Sequence, residues 1–178
     1  STHDSEELFA AKTHILLKKK NKNIITIIIP RHINRAEKII SQLNELGLKV
    51  VLRSSNKVKL RNIDIFLVDT FGESKKFYKF ATTVFLGKSI VKGGGQNPIE
   101  PARFGAKILH GPGVSNFTDV YKYLNQLNIS SEVNTPKKCA DLIVFKKNMK
   151  KVEKMKYLGS TILKKTLKEL DKSIHNEI

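Results

Sequence analysis

Two loops carry the residues best suited to chemistry. Arg31 stands in "IIPRHINR", directly after Pro30 and before His32, and Glu100 stands in "KGGGQNPIEPA" behind Gly93, Gly94 and Gly95. Glycines let backbone amides approach an anion closely, and the amides that open a helix carry partial positive charge, so a phosphate can sit in such a loop. A guanidinium complements phosphate with paired, charge-assisted hydrogen bonds. A carboxylate accepts hydrogen bonds from the paired hydroxyls of a ribose. Asn97 is placed to cap the helix that follows. Arg31, the glycine loop and Glu100 therefore make up the set of groups that a nucleotide needs. Each also has a plainer reading: the loop as a turn, Arg31 as a surface cation, and Glu100 as a first-turn acid facing a helix dipole. The loop is neither a P-loop nor G-x-G-x-x-G. A third loop, "DTFGES", adds Asp69, Gly72 and Glu73 at the edge of the same crevice.

Other reactive residue types read as structural. His3 and His32 are hydrogen-bonding residues with no metal-ligand spacing between them, and no nucleophile, base and acid fall into a triad. The single Cys139 excludes an internal disulfide and a cysteine-rich zinc site and reads as a buried thiol. Neither a metal nor a cofactor is expected.

These loops have to be positioned by regular elements. "SEELFAAKTHILLKKK" spaces Leu8, Ala11 and Ile15 on one helical face, with acids in its first turn and lysines in its last. "NIITIIIP" is β-branched throughout and predicts a strand buried on both faces. "INRAEKIISQLNELG" gives an apolar helical face of Ala36, Ile39, Ile40, Leu43 and Leu46 with a stop at Gly47. "LKVVLR", "DIFLVD", "TTVFLG", "AKILHG" and "ISSEV" predict further short strands, separated by helical stretches near 74–80, 97–105 and 116–128. Alternation of this kind implies a doubly wound α/β fold, with a mostly parallel, Rossmann-like sheet of about six strands. Ligands bind such sheets beyond the carboxyl ends of the strands, where the strand order reverses between the first and fourth strands. The loops holding Arg31 and Glu100 follow those two strands. Residues 136–178 lose the strand pattern and read as a helical C-terminal extension of one domain spanning 1–178. Its apolar positions include Phe145, Met149, Val152 and Leu158. The lysines of this extension read as a solvated helix face rather than a membrane-contact patch.

Composition narrows the classes of function. With 33 basic and 16 acidic residues the net charge is +17, which favours anionic partners. Most of that charge is lysine, whereas groups that read bases and phosphates favour arginine. A basic nucleic-acid-binding module would also need aromatic stacking platforms, and aromatics make up only 7% of the chain, scattered along it. No nucleic-acid partner is expected. A non-catalytic nucleotide sensor is the other alternative. No apolar run approaches the roughly 20 residues that a spanning helix requires. The chain by itself therefore reads as soluble, and its abrupt start at "STHDSEE" as a piece of something longer.

Four motifs, "STHDSEE", "IIPRHINR", "LVDTFGES" and "FLGKSIVKGGGQNPIEPARFGAKILHGPGVSNF", resemble in order and spacing the C-terminal half of the bacterial 3-deoxy-D-manno-octulosonic acid (Kdo) transferases, from residue 1 to about 117. The resemblance implies the GT-B arrangement of two facing Rossmann-like domains, of which this chain is the donor-binding half. It implies an enzyme of lipopolysaccharide core biosynthesis that transfers Kdo from CMP-Kdo to a lipid A precursor at the cytoplasmic face of the inner membrane. It further implies that CMP contacts Pro30 and Arg31, then Phe71, Gly72 and Glu73, then Asn97, Pro98, Ile99 and Glu100. The family's catalytic carboxylate, membrane anchor and acceptor site lie in the N-terminal domain, so no catalytic residue is expected here and the isolated chain is expected to be inactive. Ser5 stands where the family usually has glycine, Gln96 where it has histidine, Ser74 where it has leucine and Gly113 where histidine is common.

Overall fold

The computed structural model describes residues 1–55, 61–91, 93–150, 152, 153 and 157. In chain order the elements are α1 (Glu6–Lys18), β1 (Thr26–Ile28), α2 (Ala36–Glu45), β2 (Val50–Leu52), β3 (Ile65–Leu67), α3 (Ser74–Tyr78), β4 (Thr83–Leu86), α4 (Ile99–Arg103), β5 (Lys107–His110), α5 (Thr118–Gln126), β6 (Ser130–Glu132) and α6 (Pro136–Leu142). Short 3-10 turns at Ile33–Arg35 and Ser115–Phe117 lead into α2 and α5. Every paired strand runs parallel to its neighbour, and the α/β alternation read from the sequence holds.

The six strands form two parallel triplets, ordered β1-β3-β2 and β4-β5-β6. In the first, Thr26 and Val50 flank Ile65; in the second, Ile108 faces Val84 on one side and Ser130 on the other. β1 and β4 are the facing edges, and both line one apolar groove of about 360 Å³. This accounts for a difference from the sequence reading of "NIITIIIP". Its apolar run predicts burial on both faces, yet Ile25 and Ile27 are 37% and 39% exposed, because the edge strand β1 opens onto the groove.

Each triplet has its own apolar core. Ile28, Ile65 and Leu67 pack with Ile39 and Leu43 of α2, whereas Leu86 and Ile108 pack with Tyr121 and Leu124 of α5. α1 belongs to both halves. Its Ala11 joins the first core, while its Phe9 packs with Leu109, Val133 and Cys139 and stacks on Phe85 at 5.2 Å between ring centres. Cys139 is buried as expected, and burial pushes its thiol up to about 11.

α6 starts at a capped proline, Thr135 Oγ1 accepting from Lys138 N at 3.1 Å. The helix ends at Leu142, so Phe145 lies in a loop and is 56% exposed, not on the helical face that the spacing predicts. Helix resumes at Met149, and Val152 is buried as expected. The apolar positions predicted from Leu158 onward lie outside the described residues.

Candidate functional site

The segment before α1 ties the loop after β1 to the loop after β4. On one side Thr2 forms a parallel bridge with Pro30: Thr2 N donates to Ile29 O at 2.8 Å, and Arg31 N donates to Thr2 O at 2.9 Å. On the other side the Glu6 carboxylate, fully buried, accepts four backbone N–H groups. Oε2 takes His3 N at 2.9 Å and Lys88 N at 2.8 Å; Oε1 takes Ser89 N at 3.0 Å and Ile90 N at 3.2 Å. Gln96 adds a second tie, its Nε2 donating to Ser1 O at 2.7 Å. The backbone at Gly87 runs so close that a Cβ there would lie 2.2 Å from Ser1 O.

Glu7 anchors the same segment to the 3-10 turn that leads into α2. Arg35 donates to both of its oxygens at 3.1 Å and to Asp4 at 2.8 Å. A fork of this kind holds two planar groups in one orientation. The acid pair that the sequence presents as first-turn dipole partners is thus the joint between the two ligand loops. Glu6, Glu7, Arg35 and Gln96 were not legible as site-forming residues. The one available signal was a pair of adjacent glutamates at the start of an apolar helix.

The structure gives the candidate ligand residues distinct places. Arg31 is exposed, and among the described residues its guanidinium has no hydrogen-bond or ion-pair partner. Pro30 beside it is buried. Phe71 is 75% exposed beyond β3, and Gly72 turns there at φ 76°. The Glu73 carboxylate is held by Thr70, by Lys76 at 3.1 Å and by Arg53 at 3.2 Å, with Thr70 foremost among the bonds that draw it down to about 2. Asn97 caps one residue before the helix itself, its Oδ1 accepting from Ile99 N at 3.0 Å, and Pro98 takes the cap position of α4. Ile99 is 40% exposed, and Glu100 in the first turn of α4 is exposed and without a hydrogen-bond or ion-pair partner among the described residues. Glu100 does face Tyr78 of α3, whose hydroxyl pKa is raised by burial and then by this carboxylate. α3 and α4 are therefore neighbours, so the helices that follow the loops after β3 and β4 lie side by side.

The glycines act differently from the sequence expectation. Gly94 and Gly95 sit at φ 81° and 73°, and a Cβ on either would press on Asn116 or Val114. Gly95 N donates to Lys88 O at 2.9 Å, so that amide is spent inside the loop rather than offered to an anion. These glycines serve a tight turn packed against residues 114–116.

Two of the departures from the family pattern gain a physical description. Ser5 adopts φ 69°, a left-handed conformation that favours glycine. At Gly113 a Cβ would lie 2.7 Å from Val91 O, so any side chain there requires the 89–91 backbone to shift.

The chain is 31% identical over 135 residues to a 3-deoxy-D-manno-octulosonic acid transferase of Haemophilus influenzae, covering 76% of this chain and 32% of the relative. The same-named protein of Rickettsia prowazekii is 32% identical over 164 residues, 92% of this chain and 35% of that one. The chain is homologous to part of the Kdo transferases. It spans about a third of the length of these curated relatives. No family model matches it. Among solved structures, the C-terminal CMP-Kdo binding domain of WaaA from Acinetobacter baumannii superposes with a TM-score of 0.74 at 24% identity, covering 80% of this chain and 74% of that domain. The α/β fold of the chain is the fold of that domain.

Proposed function

We propose that this chain is the nucleotide-sugar-binding half of a Kdo transferase, one Rossmann-like domain over 1–178 that binds CMP-Kdo in the crevice beyond β1 and β4. Arg31 pairs with the phosphate, Glu100 accepts from the ribose hydroxyls, and Pro30, Phe71, Gly72, Glu73, Asn97, Pro98 and Ile99 shape the pocket around the nucleotide. The observation that carries this reading is the joint at Glu6, which ties the loop of Arg31 to the loop leading to Glu100, while among the described residues neither charged group has a hydrogen-bond or ion-pair partner. The whole enzyme would move Kdo to a lipid A precursor at the cytoplasmic face of the inner membrane. The acceptor site, the base that deprotonates the acceptor hydroxyl and the membrane contact would belong to the other domain. Among the described residues no helix is long and apolar enough to cross a membrane.

Calorimetric titration of the 178-residue chain with CMP tests the reading. Saturable, weak binding is the expected result, because closure over the donor requires the other half. An absence of heat and of thermal shift with CMP, together with tight and steeply salt-dependent binding of duplex DNA of any sequence, would replace it with the nucleic-acid reading.

A further inference from the structure

We propose that His3 and Lys88 form a second anion subsite beside Arg31 and that it takes the carboxylate of the donor sugar acid. The proposal rests on the donor-binding reading above. An ulosonic acid linked to CMP carries two negative groups. Its phosphate ester and its carboxylate are attached to the same anomeric carbon, so the cation that reads the carboxylate must sit next to the one that reads the phosphate.

His3 and Lys88 meet that requirement by backbone placement. Their amides share one oxygen, Glu6 Oε2, at 2.9 and 2.8 Å. Thr2, the residue before His3, accepts from Arg31 N at 2.9 Å, which fixes His3 beside the phosphate-binding candidate. The His3 ring stands perpendicular to that of His32 at 6.2 Å between centres. Among the described residues neither the His3 imidazole nor the Lys88 ammonium has a hydrogen-bond or ion-pair partner. Lys88 moreover adopts φ 58°, a conformation that a residue with a Cβ rarely takes, and Glu6 and Gly95 hold it there from either side of its peptide. Non-glycine residues kept in this region gather at ligand sites, where the surrounding structure enforces the strain. Burial first, then the nearby Lys88 and His32, lower the His3 pKa against the pull of Glu6, so His3 meets the carboxylate as a neutral N–H donor and Lys88 supplies the charge.

The test is titration of the chain with CMP and with CMP-Kdo, on the wild type and on His3→Ala and Lys88→Gly. Glycine accepts the left-handed backbone, so Lys88→Gly removes the charge without disturbing the turn. Each variant should weaken CMP-Kdo by roughly fivefold or more while CMP stays within about twofold, because CMP has no carboxylate to lose. Equal losses for both ligands, or no loss for either, overturn the subsite. If His3→Ala does not fold, Lys88→Gly alone decides. Wild-type chain that binds neither ligand removes the donor-binding reading itself, whereas CMP binding that depends on Arg31 beside CMP-Kdo binding indifferent to both variants removes only the subsite.

Discussion

At the scale of single residues, Arg31 and Glu100 are assigned to different parts of one ligand, and their losses should differ in kind. Arg31→Ala should weaken CMP by roughly 1.5–3 kcal/mol and leave cytidine nearly unchanged, since the lost bond is charge-assisted and cytidine has no phosphate. Glu100→Gln should weaken both to a similar extent; tighter CMP binding by that variant would mean the carboxylate merely repels phosphate. Competition binding reads both. Glu6 is a different case, because it is buried and every oxygen is used inside the protein. Glu6→Ala would leave four N–H groups without their acceptor and should cost on the order of 3 kcal/mol or more in chemical denaturation. Ser5→Gly should do the opposite and stabilise the chain by about 0.5 kcal/mol, since the relief of a left-handed serine outweighs the extra freedom gained by the unfolded chain.

At the scale of elements, the alternation of strands and helices was legible because each apolar pattern is local: the period-two or β-branched runs of the strands, and the helical face of Ile39 and Leu43 that ends at Gly47, φ 73°. The division into two triplets was not legible. Whether β1 pairs with β4 depends on edge-to-edge approach, which leaves no periodic mark in sequence, and the exposed Ile27 betrays it only once the groove is seen. For the same reason the site was half legible. Arg31 and Glu100 stood out by type and by their place after β1 and β4, but Glu6 acts through backbone amides 82 to 84 residues away. The joint is also tight. Gly87→Ala would put a Cβ 2.5 Å from Glu6 Oε2 as well as against Ser1 O, so it should destabilise the fold by roughly 2 kcal/mol or more and lower CMP affinity with it. Normal stability in that variant would show that the segment before α1 is not locked to the loop.

At the scale of the whole molecule, the proposed reading gives this chain one side of a reaction. If the base lies in the other domain, purified chain should give no transfer of Kdo to lipid A precursor, and product formed without full-length contaminant would force a catalytic role onto Glu73, since Glu6 and Glu7 are buried and spent on protein partners. The first triplet also rests on an acid-sensitive support, at the end of its strands away from the site. His14, fully buried, bonds Thr26 Oγ1 at 2.9 Å and Asp64 Oδ1 at 3.3 Å, and burial, then Lys18, lowers its pKa to about 4. A depressed histidine binds its proton more readily in the unfolded chain, so its contribution is complete above the unfolded value near 6.5 and is lost as pH falls toward 4. Urea unfolding midpoints should therefore decline across that window, and His14→Gln should flatten the decline.

Whether the loops after β1, β3 and β4 build one nucleotide site is read most directly by mapping backbone amide shifts of the labelled chain on addition of CMP. Saturable perturbations should group at residues 30–32, 71–73 and 97–100 and extend to the Glu6-bound amides of Lys88 and Ser89. Perturbations centred instead on the cavity of about 550 Å³ lined by Ala102, Gly105 and Ile143, at the opposite ends of the second triplet, would contradict it.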